Sequence, residues 1–312
     1  MFKFLVAAIL VLGSVGANAF EPRDEQITVI VGFAPGGGAD VMIRPYLEKM
    51  EQLGYSARIE YKAGANGTIA LNHLSTLPRD GKTIMVASAS SLVLSHVFEE
   101  HLIKHDGFDL VSVIGFGPMV LITAANNKVN SFEDFVADIR NGKSTFAAGS
   151  LQGASASLYV TSKLGIPRES IVIANYKGMG PATLDVAGGH ATYAIGTLAA
   201  ASALLESGKI KILAIGGNSR NSKFPNVPTF AEKIKGFAVE TTESNWGIIL
   251  PKNSPKEILD FYANLFITAG KDKALQEKLS NNFIYIRESD LGPTKYNQTY
   301  QRSMSAWREV KK

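Results

Sequence analysis

The stretch that decides the fold reads "VGFAPGGGAD", residues 31–40. It closes an apolar run, Ile27 to Val31, and opens a pattern in which Ile43, Leu47 and Met50 share one helical face. Between the two lie Gly32, Pro35 and the triplet Gly36-Gly37-Gly38. A turn so rich in glycine leaves several N–H groups bare. The helix N-terminus behind it adds partial positive charge, so both features favour an anion. The plainer reading is a tight strand-to-helix turn with Asp40 as the helix cap. Two nucleotide readings fail on inspection. G-x-G-x-x-G from Gly36 needs glycine where Val41 stands, and G-x-x-x-x-G-K-[ST] has no lysine in place. Gly54 sits where a C-terminal glycine cap belongs, and Pro45 is awkward unless the helix starts late.

Outward from this stretch, strand-like runs recur at 27–31, 58–61, 83–87, 110–114, 120–123, 145–148, 171–176, 192–195, 210–215 and 247–250. Helical patterns lie between them. Ser131-Phe-Glu-Asp134 has the spacing of a capping box and opens a helix to Arg140. Further helices are expected at 155–164 and 197–205, and the part from Pro255 onward reads as mostly helical and charged. The alternation implies an α/β fold with largely parallel sheets. In such folds ligands sit beyond the carboxyl ends of strands. Two more loops share the character of the first: "AAGSLQGASAS", residues 147–157, and "NYKGMGPATLD", residues 175–185. Pro181 suits a first helical turn. Loops of this kind facing each other across a cleft would hold a small acid between two domains.

Length and composition bound the rest. The 312 residues suffice for two domains, and 46% hydrophobic with 19% charged residues is a globular composition. The net charge of +4 is scattered, with no basic run to suggest nucleic acid or a membrane patch. Met1-Phe-Lys3, the apolar stretch Phe4 to Val15 and Ala17-Asn18-Ala19 form a signal peptide pattern, residues 1–19, with the mature chain starting at Phe20. Cleavage removes Lys3 and takes the charge from +4 to +3. A short membrane anchor is the competing reading, but the run is too short to span a bilayer. There is no cysteine, which excludes disulfides, thiolate metal sites and a lipid-bearing cysteine. An exported, cysteine-free chain without a later spanning segment reads as periplasmic.

Taken in order, these residues resemble the periplasmic solute receptors of tripartite tricarboxylate transporters, the Bug receptors. The likeness rests on "IVGFAPGGGAD" (30–40), a loose "IEYKAGANGTIA" (59–70), "RDGKTIMVA" (79–87) and "FAAGSLQGASAS" (146–157). It continues through "YKGMGPA" (176–182), "PNVPTFAEK" (225–233), "WGIILPKNSP" (246–255) and "SAWREVKK" (305–312), covering essentially the whole mature chain. Two positions depart from the pattern. Where the family has Gly-Gly-x-Val-Asp, this chain has Gly188-Gly189-His190-Ala191-Thr192, without the acid. A phenylalanine-aspartate pair that often follows is Ile195-Gly196 here. The losses point to a ligand with one or two carboxylates rather than an amino group.

The resemblance implies a two-domain type II periplasmic binding protein fold, with a ligand cleft and a two-crossover hinge near Ile122 and Trp246. Domain one would be residues 20–121 plus 247–312, and domain two residues 122–246. The expected ligand-binding residues are Phe33, Ala34, Gly37 and Gly38, with Asp40 organising their loop. Ser88 and Ser90 follow a strand end. Ser150, Leu151 and Ser155 stand at a helix N-terminus, and Tyr176, Lys177 and Thr197 complete the set. Against these, the serines read equally as local caps and Tyr176 as core. His101 and His105 have a metal-chelating spacing, but no cysteine or H-E-x-x-H accompanies them, and a solvated helix end is preferred. Trp246 and Trp307 read as packing residues. No G-x-S-x-G elbow or cofactor lysine is seen, so neither catalysis nor a cofactor or metal is expected. The implied role is a monomeric receptor delivering a small organic acid to an inner-membrane permease. A sensor presenting its closed form to a signalling partner, and an enzyme on the same fold, are the alternatives.

Overall fold

The computed structural model describes residues 20–311; the expected signal segment, residues 1–19, and Lys312 lie outside the described residues. The strands are β1 (Gln26–Val31), β2 (Ser56–Tyr61), β3 (Thr83–Ser88), β4 (Phe108–Ala124), β5 (Ser144–Ala148), β6 (Ile171–Asn175), β7 (Tyr193–Thr197), β8 (Ile210–Ile215) and β9 (Glu243–Pro251). The helices are α1 (Gly38–Gln52), α2 (Thr68–Leu74), α3 (Ser95–Phe98), α4 (Phe132–Asn141), α5 (Leu151–Lys163) and α6 (Met179–Ala187). They continue with α7 (Leu198–Glu206), α8 (Phe230–Lys233), α9 (Lys256–Gly270), α10 (Lys273–Asn281) and α11 (Pro293–Lys311). The helical C-terminal part agrees with the sequence reading.

The strands run in the order β2-β1-β3-β9-β4-β7-β5-β6, with β8 also paired to β4. The outer pairs, β1 with β2 and β3 and β5 with β6 and β7, are parallel. The central pairs are antiparallel, so the sheet is mixed rather than largely parallel. One strand joins the two halves. Residues 108–118 of β4 pair with β9, and residues 119–124 pair with β7 on one side and β8 on the other. The sequence reading split this strand into two runs, 110–114 and 120–123, with Gly115, Gly117 and Pro118 between them. They are instead part of a strand with register shifts at Leu110/Ser112 and Val113/Gly115. Gly115 is needed there because a Cβ would lie 2.5 Å from the Met42 methyl. Pro118 is the last partner of β9, where a missing N–H costs little.

Each half has apolar layers on both sheet faces. In the first half, Val29, Val31, Met42, Tyr46 and Phe266 lie on one side and Ile30, Leu71, Met85 and Ile249 on the other. In the second half, Phe135, Phe146 and Tyr193 oppose Ile122, Ala182 and Val186. Trp307 of α11 is 1% exposed and packs edge-on to Phe98, a burial of about 3 kcal/mol. It is a packing residue, as its sequence context indicates. Helix ends follow local chemistry. Ser131 and Asp134 form the expected capping box on α4. Gly54, at φ +85°, closes α1 with its N–H on the Glu51 carbonyl. Pro45 lies inside α1, which starts at Gly38, and so forgoes one helical hydrogen bond. No described helix is long and apolar enough to cross a membrane.

Candidate functional site

The opening loop is held in shape by Asp40. Gly36 has φ +77°, a left-handed conformation that glycine adopts without strain, and Gly37 is the extended N-cap of α1. Asp40 is therefore not the cap expected from sequence. It stands in the first turn and reaches back to accept the Gly36 N–H at 2.9 Å. Its carboxylate is 4% exposed, accepts the Tyr61 hydroxyl and pairs with Arg44 at 3.1 Å. A buried carboxylate is tolerable only when paired and hydrogen-bonded in this way. The same contacts raise the Arg44 guanidinium above its ordinary value, the Asp40 hydrogen bond first. The Tyr61 phenol is raised as well, mainly by burial and then by Asp40.

Three more helices begin beside α1. Ser150 caps α5, accepting the Gly153 N–H at 3.1 Å. Gly178 caps α6, and Thr197 caps α7 without a side-chain cap bond. Together with Gly37 and Gly38, the residues Ser150, Met179 and Thr197 from these helix starts line a cavity of about 40 Å³. Phe33, Ser88, Gln152, Ser244 and Trp246 add to its walls, and no lining residue is charged. The Thr197 Oγ1 is buried with no hydrogen-bond partner among the described residues. Gly38 is required by close approach: a Cβ there would sit 2.7 Å from the Trp246 ring and 3.0 Å from the Thr197 Oγ1. Gly196 is closed off too, since a Cβ would lie 2.1 Å from the Met179 sulfur. The thioether thus occupies the space that a side chain at 196 would need.

A second chamber of about 400 Å³ adjoins the first and shares Phe33 and Gly149 with it. Leu151, Ala154 and Leu158 on one face of α5, with Ile173, give it an apolar wall. Asn66, Glu99, Arg168, Tyr176 and Lys177 add polar groups. The Asn66 amide donates to both Glu99 oxygens, at 2.9 and 3.0 Å. The Tyr176 hydroxyl donates to Asp185, which raises its pKa, with burial adding to the effect. The two sheet halves touch here: the Ala34 N–H donates to the Lys177 carbonyl at 3.0 Å.

Of the residues expected from sequence, Phe33, Gly37, Gly38, Ser88, Ser150 and Thr197 line the small cavity. Phe33, Leu151, Tyr176 and Lys177 line the larger chamber. Ala34, Asp40 and Ser155 line neither. The Ala34 amide is engaged by Lys177, and Ser155 falls in the second turn because α5 begins at Leu151, earlier than expected. The side chain of Ser90 lies outside the described residues. Sequence reasoning missed Met179, Gln152, Asn66, Glu99 and Arg168, and took Trp246 for packing alone, although it is both 2% exposed and a cavity wall. Met179 had a signal, since it stands at the start of α6 within the 176–182 motif. His101 and His105 share no helix: His101 is in a short turn and His105 lies in the segment after it. The His105 ring packs on Phe108 at 4.3 Å and on His96 at 5.4 Å. Among the described residues no group of three or more His, Asp or Glu is placed to hold a metal.

Residues 44–308 match the family model described as "Tripartite tricarboxylate transporter family receptor". Protein BugT of Bordetella pertussis is 30% identical over 286 residues, covering 88% of this chain and 82% of that protein. Among solved structures, MatC of Rhodopseudomonas palustris, with bound malate, superposes with a TM-score of 0.81 at 22% identity, covering 92% of this chain and 98% of that one. Rpa4515 of R. palustris, with adipate, gives a TM-score of 0.84 at 23% identity, with 92% and 96% covered. At these identities the two structures establish the fold, a mixed α/β periplasmic binding protein architecture.

Proposed function

The chain belongs to the tripartite tricarboxylate transporter receptor family, and from that premise we propose that it captures a small carboxylate between its two sheet halves for a permease of that transporter type. The observation that carries this reading is the convergence of four helix starts on a cavity without a charged side chain. Each helix N-terminus carries about half a positive charge and unused N–H donors. An anionic head group fits such a site, and no lining carboxylate repels it. The Thr197 hydroxyl, buried without a partner, gains one when an acceptor enters. The malate and adipate held by MatC and Rpa4515 are acids of the same class.

Residues 20–121 with 247–312, and residues 122–246, act as the two closing domains. The hinge runs through the continuous β4 and through β9, and the Ala34 to Lys177 bond belongs to the closed form. Residues 1–19 direct export to the periplasm, and the mature receptor works as a monomer without a catalytic step, cofactor or metal. A thermal-shift screen of residues 20–312, refolded to strip retained ligand, tests the reading. Carboxylates at a hundred times their Kd are expected to raise the Tm by about 5 °C or more, while amines and neutral sugars do not. No shift with any mono-, di- or tricarboxylate would overturn it.

A further inference from the structure

Between α10 and α11 the chain leaves the first sheet half, touches the second and returns. The helices on either side belong to the first half. Lys49 and Glu48 of α1 pair with Asp272 and Lys278 at α10, and Tyr296 of α11 is buried with Met85 and Ile249. Two consecutive residues of the connection are anchored in different cores. Phe283, 5% exposed, lies in the core of the second half with Val120 and Ile122, and its ring centroid is 5.4 Å from that of Phe224. The Lys223 Nζ covers the same ring at 4.7 Å. Ile284, fully buried, lies in the core of the first half, where a Cβ on Gly115 would come within 2.9 Å of it. Phe283 has φ +59°. A bulky residue keeps that left-handed conformation only where its surroundings over-determine it. Tyr285 then exchanges both backbone hydrogen bonds with Phe116 of β4, each at 2.8 Å. The Arg287 guanidinium lies 4.1 Å from the Phe116 ring centroid and pairs with Glu243 at the start of β9.

This crossing sits where both shared strands pass between the halves. Phe116 stands two residues before Pro118, the last β4 residue to pair with β9, and Glu243 is the partner of Pro118. A gap of about 240 Å³, lined by Tyr285, Arg287 and the Gly216-Gly217 turn after β8 among others, leaves room for the halves to rock. Successive Cα atoms are about 3.8 Å apart, so two cores anchored by residues 283 and 284 cannot draw apart at this point. Resting on the receptor reading above, we propose that residues 283–287 are a strap across the hinge, which limits cleft opening to a rotation about this point and keeps the empty receptor from widely open states. The two apolar anchors carry the restraint, since the Arg287–Glu243 pair is substantially exposed and such pairs hold weakly. A looser strap enlarges the open ensemble. Apparent affinity for any ligand of the closed form then falls in proportion to the closed fraction.

The chain has no cysteine, so a pair of introduced ones can carry spin labels that report the separation of the halves. Glu51→Cys on α1 and Glu206→Cys at the end of α7 are exposed positions, one on each half. Pulsed electron resonance on ligand-free, refolded residues 20–312 is expected to give one narrow distance distribution. Two changes loosen the strap. Two glycines inserted between Phe283 and Ile284 lengthen the tether and keep both anchors. Phe224→Ala removes the ring against Phe283; Phe224 is half-buried and outside any helix or strand, so the fold survives its truncation. Each is expected to widen the distribution at least about twofold, towards longer distances. Phe283→Leu, which keeps an apolar anchor, is expected to leave it narrow. A broad distribution in the labelled parent, or an unchanged width in both loosened variants with circular dichroism spectra like the parent's, would overturn the strap. A lower Tm without widening would mean that these contacts serve the fold alone, and would overturn it too. No ligand enters this experiment, so its failure leaves the receptor reading in place, and failure of the acid screen leaves the strap in place.

Discussion

Two hollows invite comparison. One is the small cavity at the four helix starts. The other, of about 430 Å³, lies between α11 and β4 and is lined by His96, Asp106, Phe108, Asp109, Asn297 and Tyr300 among others. By volume the second is the better pocket. Its charged groups, however, already serve the fold. Asp106 pairs with Lys252 at 3.0 Å, Asp109 accepts the Ser254 N–H at 2.8 Å, and the His96 Nδ1 lies 2.8 Å from the Leu92 carbonyl. In the small cavity the helix starts and the Thr197 hydroxyl have donors to offer. Free donors, and not volume, distinguish a site for an anion from a gap between packed elements.

The sharpest way to break this comparison is Ser150→Asp. Aspartate caps a helix as well as serine does and suits the dipole, so α5 and the Tm should hold. The added charge would sit where the carboxylate goes, and affinity for any acid is expected to fall at least about a hundredfold. Unchanged affinity by calorimetry would remove the cavity as the site. The paired control, Asn297→Asp in the larger hollow, is expected to leave binding untouched.

The next effect concerns stability and belongs to His105, which packs on the hollow's wall residues His96 and Phe108. His105 is pushed down to about 4, chiefly by burial and then by the neighbouring His96, with Asp106 opposing. Its unfolded value is near 6.5, so in the window between the two the unfolded chain holds a proton that the folded chain lacks. Stability from this group is complete above about pH 6.5 and declines as the pH falls towards 4, by about 2 kcal/mol once solvent screening of this half-buried ring is allowed for. His105→Phe is expected to flatten that limb in urea melts taken across the window, with no change in acid binding. An identical slope in wild type and variant would refute the assignment. The smallest effect returns to the cavity. Thr197→Val removes the unpartnered hydroxyl, so acid binding is expected to weaken about tenfold while stability stays level or rises slightly. A stability loss without a binding loss would mean that the hydroxyl serves the fold.

Much of this architecture was legible because its causes are local. The capping box at Ser131 and Asp134, the glycine end of α1 at Gly54 and the apolar strand runs depend on residues a few positions apart. The loops carrying Gly37, Gly38, Ser150 and Thr197 were visible for the same reason, as glycine, serine or threonine between a strand and a helix. What was not legible depends on distant partners. Gly115, Gly117 and Pro118 separate two apolar runs in the sequence and join them into one strand only once Met42 and β9 are seen packed against them. Asp40 read as a cap because its actual partners include Tyr61, which lies on β2, beyond the end of α1. Asn66 and Glu99 meet across separate segments, and the sequence motif around Met179 does not show that its thioether fills the space over the bare Gly196. Ser155 was misjudged through a helix start one turn too late, the common weakness of boundary assignment.

The shared strand has a consequence for the order in which the molecule assembles. Strands β5 to β8 and the end of β4 come from one contiguous stretch, so the second half can complete its sheet from nearby chain. The first half cannot. Between β3 and the start of β4 it needs β9, which follows the whole of the second half in sequence. Contacts of such separation form late, because a long loop must close before they bring any gain. Until Glu243–Pro251 docks, β3 and residues 108–118 of β4 present open edges. Open edges of this length template pairing with other chains. A polypeptide cut short before Glu243 is thus an aggregation hazard rather than a smaller receptor.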